Sequence, residues 1–343
     1  MSGDKTEEEK MSINVFIACK ETEKEFYERT YGPGIEHLVQ ACAEENKDIK
    51  EVLKSHAEHH KNLDELVKAF QLYDLTPAVK CREKTAVHQA YDLDDFKKAD
   101  VIVSFGGDGE VMDVARNITK KKLGGEKLHR LWIEKSDHDS VAALAVTTKY
   151  SYMQKVEKLV KGEYETQQWA RVKGIIRSNG KIEVEDIAVN EIYFGDLYAM
   201  GMARYQERLG KAEESQRSSG GIISTKTGLL GWLLNAPAPT LGQYVKDIFR
   251  NFFYWHIKKP DFENPVLEYR VREPSKRKKL KMVSGKIQPG DSMIIKSKMN
   301  YDGCVSFDSS KPHYKNSRCY DFNRGKVLEV SRSDEPLYAI RFK

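Results

Sequence analysis

The sequence predicts an α/β domain built on an open parallel sheet, followed by a predominantly β domain. Three observations predict it. The stretch from Asp100 to Ile118, DVIVSFGGDGEVMDVARNI, reads as a buried strand, a glycine turn and a helix. Strand-like and helix-like stretches alternate up to about residue 140, the pattern of a parallel sheet with its ligand at the carboxyl ends of the strands. From Val141 onward the texture changes to alternating or β-rich runs with turns such as Ser178-Asn179-Gly180. The boundaries expected are a disordered tail over residues 1–10, the α/β domain with the GGDG turn over 11–140, the β-rich domain over 141–321, and terminal strands of uncertain domain membership over 322–343.

In chain order, Ile13 to Ala18 is a first strand. A long helical region runs from about Glu21 to Tyr73, broken at Gly32-Pro33-Gly34. Within it, His56 shares a helical face with His59 and His60, a spacing able to hold a metal. No further ligand is evident in the sequence, so a solvated helix end is the reading taken. Pro77 to Cys81 is a second strand, Thr85 to Lys98 a helix, and Val101 to Phe105 the third strand. Leu131-Trp132-Ile133 is another strand, leading into the polar loop Glu134 to Ser140. The β-rich runs are Val172 to Ile176, Lys181 to Val184 and Asp186 to Phe194, and two more strands lie between Lys326 and Phe342.

Composition excludes several classes. The 343 residues include 57 basic and 52 acidic ones, net +5, too balanced to argue for nucleic acid. No apolar run reaches membrane-spanning length. The N-terminus MSGDKTEEEK is acidic, unlike a secretory signal or a transit peptide. The five cysteines, Cys19, Cys42, Cys81, Cys304 and Cys319, show no C-x-x-C spacing and are expected to be reduced thiols in a cytoplasmic setting. The basic run Lys276 to Lys279 lies between strand-like stretches and reads as a solvated hairpin loop, and the aromatic cluster Phe252 to Trp255 as core or subunit interface.

Chemistry concentrates in four places. Gly106, Gly107 and Gly109 open a helix whose free amides and dipole attract an anion. Asp108 repels phosphate there, which makes sense if it takes a proton from an attacking hydroxyl or holds magnesium. A plain strand-to-helix turn accounts for the same letters. Asn190-Glu191, at a strand end, offers an amide beside a carboxylate, able to bond a ribose diol or an adenine edge, or simply a hairpin pair. Ser224, Thr225, Thr227 and Gly228 form a second anion-tolerant turn, before an apolar helix with Trp232 and Asn235. Asn300-Tyr301-Asp302-Gly303 is a turn before a strand.

Together these residues resemble the NAD kinase family, over about Asn14 to Ile340. Its GGDG turn matches Gly106 to Gly109, its Asn-Glu pair Asn190-Glu191, its Thr-x-Thr-Gly turn Thr225 to Gly228, and its C-terminal Asp-Gly Asp302-Gly303. The spelling Ser218-Ser219-Gly220, Trp232 and Arg272-Glu273-Pro274 is similar to the branch that includes the animal mitochondrial enzyme. Lipid kinases with the same turn carry an Asn-Glu pair inside the GGDG helix, where this chain has Glu110-Val111-Met112-Asp113.

The resemblance implies phosphorylation of NAD at the adenosine ribose 2′-hydroxyl by ATP with Mg²⁺, in a homodimer or homotetramer without nucleic acid or membrane. It implies Asp108 as catalytic residue. It assigns Gly106, Gly107, Gly109, Ser224, Thr225, Thr227 and Gly228 to phosphate or nucleotide, and Asn190, Glu191, Trp232, Asn235 and Asp302 to NAD. The chain departs from the family at Glu110, where Thr or Ser is usual, and at Leu229 and Leu230, where polar residues are usual. Glu110 is therefore expected to reach the metal. A divergent lipid or small-molecule kinase, and a nucleotide-binding relative without catalysis, remain open alternatives.

Overall fold

Buried β-branched strands set up the first sheet. The computed structural model describes residues 13–83, 91–125, 127–137, 144, 150–199, 201–235, 245, 248–249, 261–275, 280–308 and 317–343. The chain begins with β1 (Val15–Lys20), then α1 (Glu23–Tyr31), α2 (Ile35–Glu44) and α3 (Ile49–Gln71). β2 (Ala78–Arg82), α4 (Leu93–Lys98), β3 (Val101–Phe105), α5 (Asp108–Ala115), α6 (Lys120–Leu123), β4 (Arg130–Glu134), α7 (Tyr152–Val160) and β5 (Tyr164–Trp169) follow. The sheet order is β2-β1-β3-β4, then β18 (Leu337–Phe342), then β5; all pairs are parallel except β18 with β5.

Period-2 alternation divides this sheet between two cores. Phe16, Ala18, Ile102, Leu131 and Ile133 face one cluster with Val111 and Val114 of α5. Val15, Ile17, Val101, Val103 and Trp132 face another with Leu63, Leu66 and Phe70 of α3. Helices thus cover both faces, as a parallel sheet requires. The order reverses between β1 and β3, where open α/β sheets bind ligands, and the GGDG turn follows β3 at that point.

The remainder is β-rich. It comprises β6 (Val172–Ser178), β7 (Lys181–Ala188), β8 (Glu191–Asp196), β9 (Ala203–Leu209), β10 (Ala212–Ser218) and β11 (Gly221–Ser224). A short 3₁₀ turn (Gly228–Leu230) and α8 (Trp232–Asn235) follow, then β12 (Leu267–Val271), β13 (Ser284–Ile287), β14 (Ser292–Ser297), β15 (Gly303–Phe307), β16 (Cys319–Asp321) and β17 (Lys326–Arg332). One antiparallel sheet runs β10-β9-β14-β17-β6-β7, the other β13-β12-β11-β8-β15-β16. Their facing side chains, among them Ile176, Phe194, Tyr205, Ile223, Ile295, Phe307 and Val330, form one core.

Three expectations are modified, and the open question of the terminal strands is answered. The first sheet continues past residue 140, taking β5 and the terminal β18; the polar alternation of YETQQW had hidden an edge strand. The two terminal strands part company, β17 joining the second sheet and β18 the first. The run Asp186 to Phe194 is two strands in two sheets, separated at Val189-Asn190. Cys19 and Cys81 are not free thiols: parallel pairing of β1 with β2 sets them opposite each other, Cα atoms 4.2 Å apart, and they form a disulfide. Cys42, Cys304 and Cys319 are free. No helix among the described residues is long and apolar enough to cross a membrane. The expected tail, Phe252 to Trp255 and Lys276 to Lys279 lie outside the described residues.

Candidate active site

α5 starts without the side-chain cap that most helices here carry. Thr22, Asp48, Asp92 and Ser151 cap their helices, whereas Gly107 stands at the N-cap of α5 and offers nothing. The first turn of α5 thus opens without a side-chain acceptor, although the Glu110 N–H already donates to Gly107 O at 2.9 Å. A Cβ at Gly107 or Gly109 would meet nothing within 4 Å, so there is room for a ligand against the backbone. Gly106 differs. Its N–H donates to Glu134 O at 2.9 Å, and a Cβ there would meet Glu110 Cβ at 3.0 Å. It lets α5 approach the sheet, and its amide is not available to a phosphate. Asp108 is partly exposed, and its Oδ1 accepts the Leu144 N–H at 2.9 Å.

Glu110 does not fulfil the metal expectation. It is fully buried. Its Oε2 accepts from Arg82 Nε at 2.9 Å and its Oε1 from the Tyr91 hydroxyl, so both oxygens are taken. Arg82 continues to Asp113 Oδ2 at 2.7 Å. A carboxylate at this position answers a buried arginine, where a hydroxyl could not. Burial, opposed by Arg82, pushes Asp113 up to about 6. Leu229 is likewise a core residue, fully buried with Tyr193, Ile222 and Leu233, so no polar residue is missing there. The side chains of Leu230 and Asn235 lie outside the described residues.

The Asn190-Glu191 pair sits at the crossing between the two antiparallel sheets and is held from three sides. Asp308 Oδ1 accepts the Asn190 N–H at 2.7 Å and Oδ2 the Val189 N–H at 3.1 Å. Thr227 Oγ1 donates to Val189 O at 2.6 Å, and Ser224 Oγ to Asn190 O at 3.1 Å. Thr225 Oγ1 reaches both carbonyls and Thr227 Oγ1. Gly228 is required here, since a Cβ would lie 2.5 Å from Asn190 O. Ser224, Thr225 and Thr227 were expected to meet phosphate. They are buried, and their hydroxyls are engaged by the backbone that carries Asn190.

That clamp leaves one amide oxygen unused. Asn190 Oδ1 is buried with no hydrogen-bond partner among the described residues, and such an atom costs about 1–3 kcal/mol unless a donor arrives. Glu191 is buried beside it. Gly231, whose Cβ would come within 3.6 Å of Asn190 Nδ2 and 3.7 Å of Glu191 Oε2, keeps that space open. One apolar cluster contains both Leu144, which holds Asp108, and Val189, which precedes Asn190, so the two motifs share a core.

Trp232 stacks at 5.0 Å on the Tyr193 ring, with the Arg272 guanidinium 5.4 Å above its own ring. Asp302 does not join Asn190. β15 pairs with β8 so that Gly303 faces Asp196 and Phe307 faces Ile192, putting Asp302 beyond the far end of β8, about 23 Å of strand from Asn190. Its left-handed backbone and its carbonyl bond to Leu197 N are those of a turn residue. Asp308, at the near end of β15, is the residue that holds the Asn190 backbone. No motif marks it, and only the register reveals it.

Beyond the C-terminal end of α5 lies a cavity of about 860 Å³, lined by Tyr91, Arg116, Lys122, Asp186, Arg318 and Tyr320 among others. Burial, then Arg318, lowers Arg116 to about 9 and Lys122 to about 8. Among the described residues Arg116 Nη1 has no hydrogen-bond acceptor, and it lies 3.6 Å from Asp113 Oδ1. Its lining mixes basic side chains with the carboxylates of Glu185, Asp186 and Glu335. The length of α5 separates this cavity from the GGDG turn by about 12 Å.

Comparison with known proteins gives a consistent neighbourhood. No family model matches the chain. Three NAD kinases are similar in sequence: that of Photorhabdus laumondii subsp. laumondii (26% identical, 42% of this chain and 47% of the relative), that of Colwellia psychrerythraea (23%, 53% and 63%) and that of an Azoarcus species (28%, 42% and 47%). The chain thus spans about half to three fifths of the length of the curated relatives it matches. Among solved structures, it is similar to an NAD kinase from Archaeoglobus fulgidus in complex with ATP (TM-score 0.53, 16% identity, 82% of this chain and 89% of that one). It is also similar to yeast NADH kinase complexed with NADH (TM-score 0.57, 10% identity, 97% and 84%). At these identities the likeness shows the fold: an α/β part with a parallel sheet and a β-rich part, arranged as in NAD kinases.

Proposed function

We propose that this chain is an NAD kinase, transferring the γ-phosphoryl group of ATP to the 2′-hydroxyl of the adenosine ribose of NAD to give NADP. The observation that carries the proposal is the pairing of an uncapped helix N-terminus bearing Asp108 with a clamped turn whose Asn190 Oδ1 lacks a donor. The sequence similarity to NAD kinases and the shared fold support it.

Phosphoryl transfer asks the protein mainly for positioning and charge stabilisation. Asp108 accepts or orients the proton of the attacking hydroxyl. Leu144 N–H donates to Asp108 Oδ1 and fixes the carboxylate at the head of α5. The amides of Gly107 and Gly109 face the transferred phosphate. Asn190 Oδ1 accepts from a donor on the nucleotide, and Glu191 takes a second one. Mg²⁺ enters with ATP and supplies charge neutralisation when bound. Glu110 does not fit it, because both oxygens are already bonded, and Asp108 is the carboxylate the turn offers. We also assign the chain to the branch that includes the animal mitochondrial enzyme, on Ser218 to Gly220 and Trp232, and propose a cytoplasmic homodimer or homotetramer.

The test is NADP formation by the pure protein with NAD, ATP and Mg²⁺, beside Asp108→Asn. Wild type is expected to turn over, and the variant to lose about two to four orders of magnitude in kcat while unfolding at the same temperature. Diacylglycerol in place of NAD is expected to give no product. A wild-type protein that binds NAD without turnover would reject the proposal.

A further inference from the structure

A second cluster of chemistry-bearing side chains lies on α1 and α3, apart from the GGDG turn. His56 and His60 are one helical turn apart on α3 and present their rings to the same side, centroids 4.6 Å apart. Across from them, Glu25 of α1 puts Oε1 2.9 Å from His60 Nε2. One ligand atom from each of the three residues lies within 4.8 Å of the other two. The sequence held no third ligand near the histidines, and α1 supplies it from some thirty residues upstream. His59 goes elsewhere, buried with its ring 5.3 Å from that of Phe105.

We propose that Glu25, His56 and His60 bind a divalent first-row metal ion of the Zn²⁺ class. Two imidazoles at i and i+4 with one carboxylate form a three-ligand set known for zinc, with a fourth position left for water. Tetrahedral bonds of about 2.0–2.2 Å require ligand atoms roughly 3.4 Å apart, and small side-chain rotations reach that from the present spacing. All three residues are partly exposed, so an ion has a path in.

The surroundings fit a ligand set. Thr22 Oγ1 donates to Glu25 Oε2 at 3.0 Å and the Thr22 N–H donates to the same oxygen at 2.7 Å. These bonds fix Oε2 and turn Oε1, which meets His60 Nε2, toward the histidines. Thr22 Oγ1 also lies 2.8 Å from His56 Nδ1. Because that hydroxyl spends its proton on Glu25, it accepts from Nδ1–H, and Nε2 keeps the lone pair a metal needs. A hydroxyl or carboxylate behind a ligating imidazole is the usual support in metal sites. The ion would tie α1 to α3. α3 in turn holds the loop after β4, through Ser55 Oγ to Asp137 Oδ2 at 3.2 Å and Asn62 Nδ2 to Ser136 O at 2.9 Å.

The experiment uses the full chain, stripped with a chelator, and titrates Zn²⁺ by calorimetry and Co²⁺ by absorption. One ion per chain is expected, with a Co²⁺ spectrum of nitrogen and oxygen ligation and a melting temperature raised by Zn²⁺. His60→Ala and Glu25→Gln are expected to abolish both the binding and the rise. Thr22→Ala should weaken binding about 10–100-fold. His37→Ala, on α2, should bind as wild type. The chelated variants are melted beside chelated wild type, so a folding defect is read separately from lost binding, and the wild-type Co²⁺ spectrum stands without any variant. No binding by wild type, a thiolate charge-transfer band, or unchanged affinity in His60→Ala would each overturn the proposal.

Discussion

Two acidic residues two positions apart on α5 have opposite fates, and burial decides between them. Asp108 is partly exposed on the first turn, while Glu110 is sealed against Arg82 and Tyr91. Letters alone made both look like phosphate-side carboxylates. What distinguishes them is Arg82, on a strand 28 residues earlier, which no local pattern connects to Glu110. Asn190 is legible in a different way. Its neighbourhood with Glu191 stands out in the sequence, but the lack of a donor for Oδ1 is visible only when the turn is folded. If that oxygen accepts from NAD, Asn190→Ala removes one hydrogen bond from the bound nucleotide. The Michaelis constant for NAD should rise about 5–10-fold, as a bond worth about 1 kcal/mol implies, and that for ATP should stay within twofold. Steady-state kinetics with each substrate varied in turn checks it. Equal rises for both would place Asn190 away from the NAD.

At the scale of elements, the site rests on joints between secondary structures that sequence pattern does not reveal. Val189-Asn190 is the hinge between β7 and β8, pinned by Asp308 at 118 residues' distance and by the Thr225-Thr227 turn. The hydroxyl-rich turn was legible as a turn, but not that backbone carbonyls 35 or so residues away accept its hydroxyls. α5 is joined to the sheet by the ion pair of Glu110 with Arg82, whose side chains are 0% and 6% exposed. Removing one partner of such a pair strands the other, at a cost of about 3–5 kcal/mol. Asp113 remains on Arg82 and softens the loss. Glu110→Ala is therefore expected to lower unfolding free energy by about 3 kcal/mol in urea titration, and to leave the dependence of activity on Mg²⁺ concentration unchanged. A variant with wild-type stability but a shifted Mg²⁺ requirement would return Glu110 to the metal.

The whole molecule is three six-stranded sheets among the described residues, and its plan was partly written in the chain. The parallel sheet was legible because β1 and β3 are buried on both faces and spelled in apolar letters. The closure of that sheet by β18, drawn from the other end of the chain, was not, because non-local pairing leaves no period to read. Nor was the Cys19–Cys81 disulfide, whose partners are 62 residues apart. The joined core of the two antiparallel sheets hides one more feature, with consequences for the stability of the molecule as a whole. Glu207 of β9 is fully buried, and its Oε1 accepts from Gln216 Nε2 at 2.7 Å. Burial pushes its carboxyl up from 4.5 to about 8. The folded protein therefore keeps this proton up to about pH 8, whereas the unfolded chain releases it near 4.5. Between those values the folded state binds more protons, so stability falls as pH rises, by up to about 1.4 kcal/mol per pH unit from this group. Below 4.5 both states are protonated and the term vanishes. Glu207→Gln keeps an acceptor for Gln216 and carries no titrating proton. Urea unfolding of the two proteins across this range should show the variant's stability declining less steeply than wild type's, and the variant the more stable at pH 8. Parallel curves would mean that Glu207 titrates alike in both states, with water reaching it inside the core.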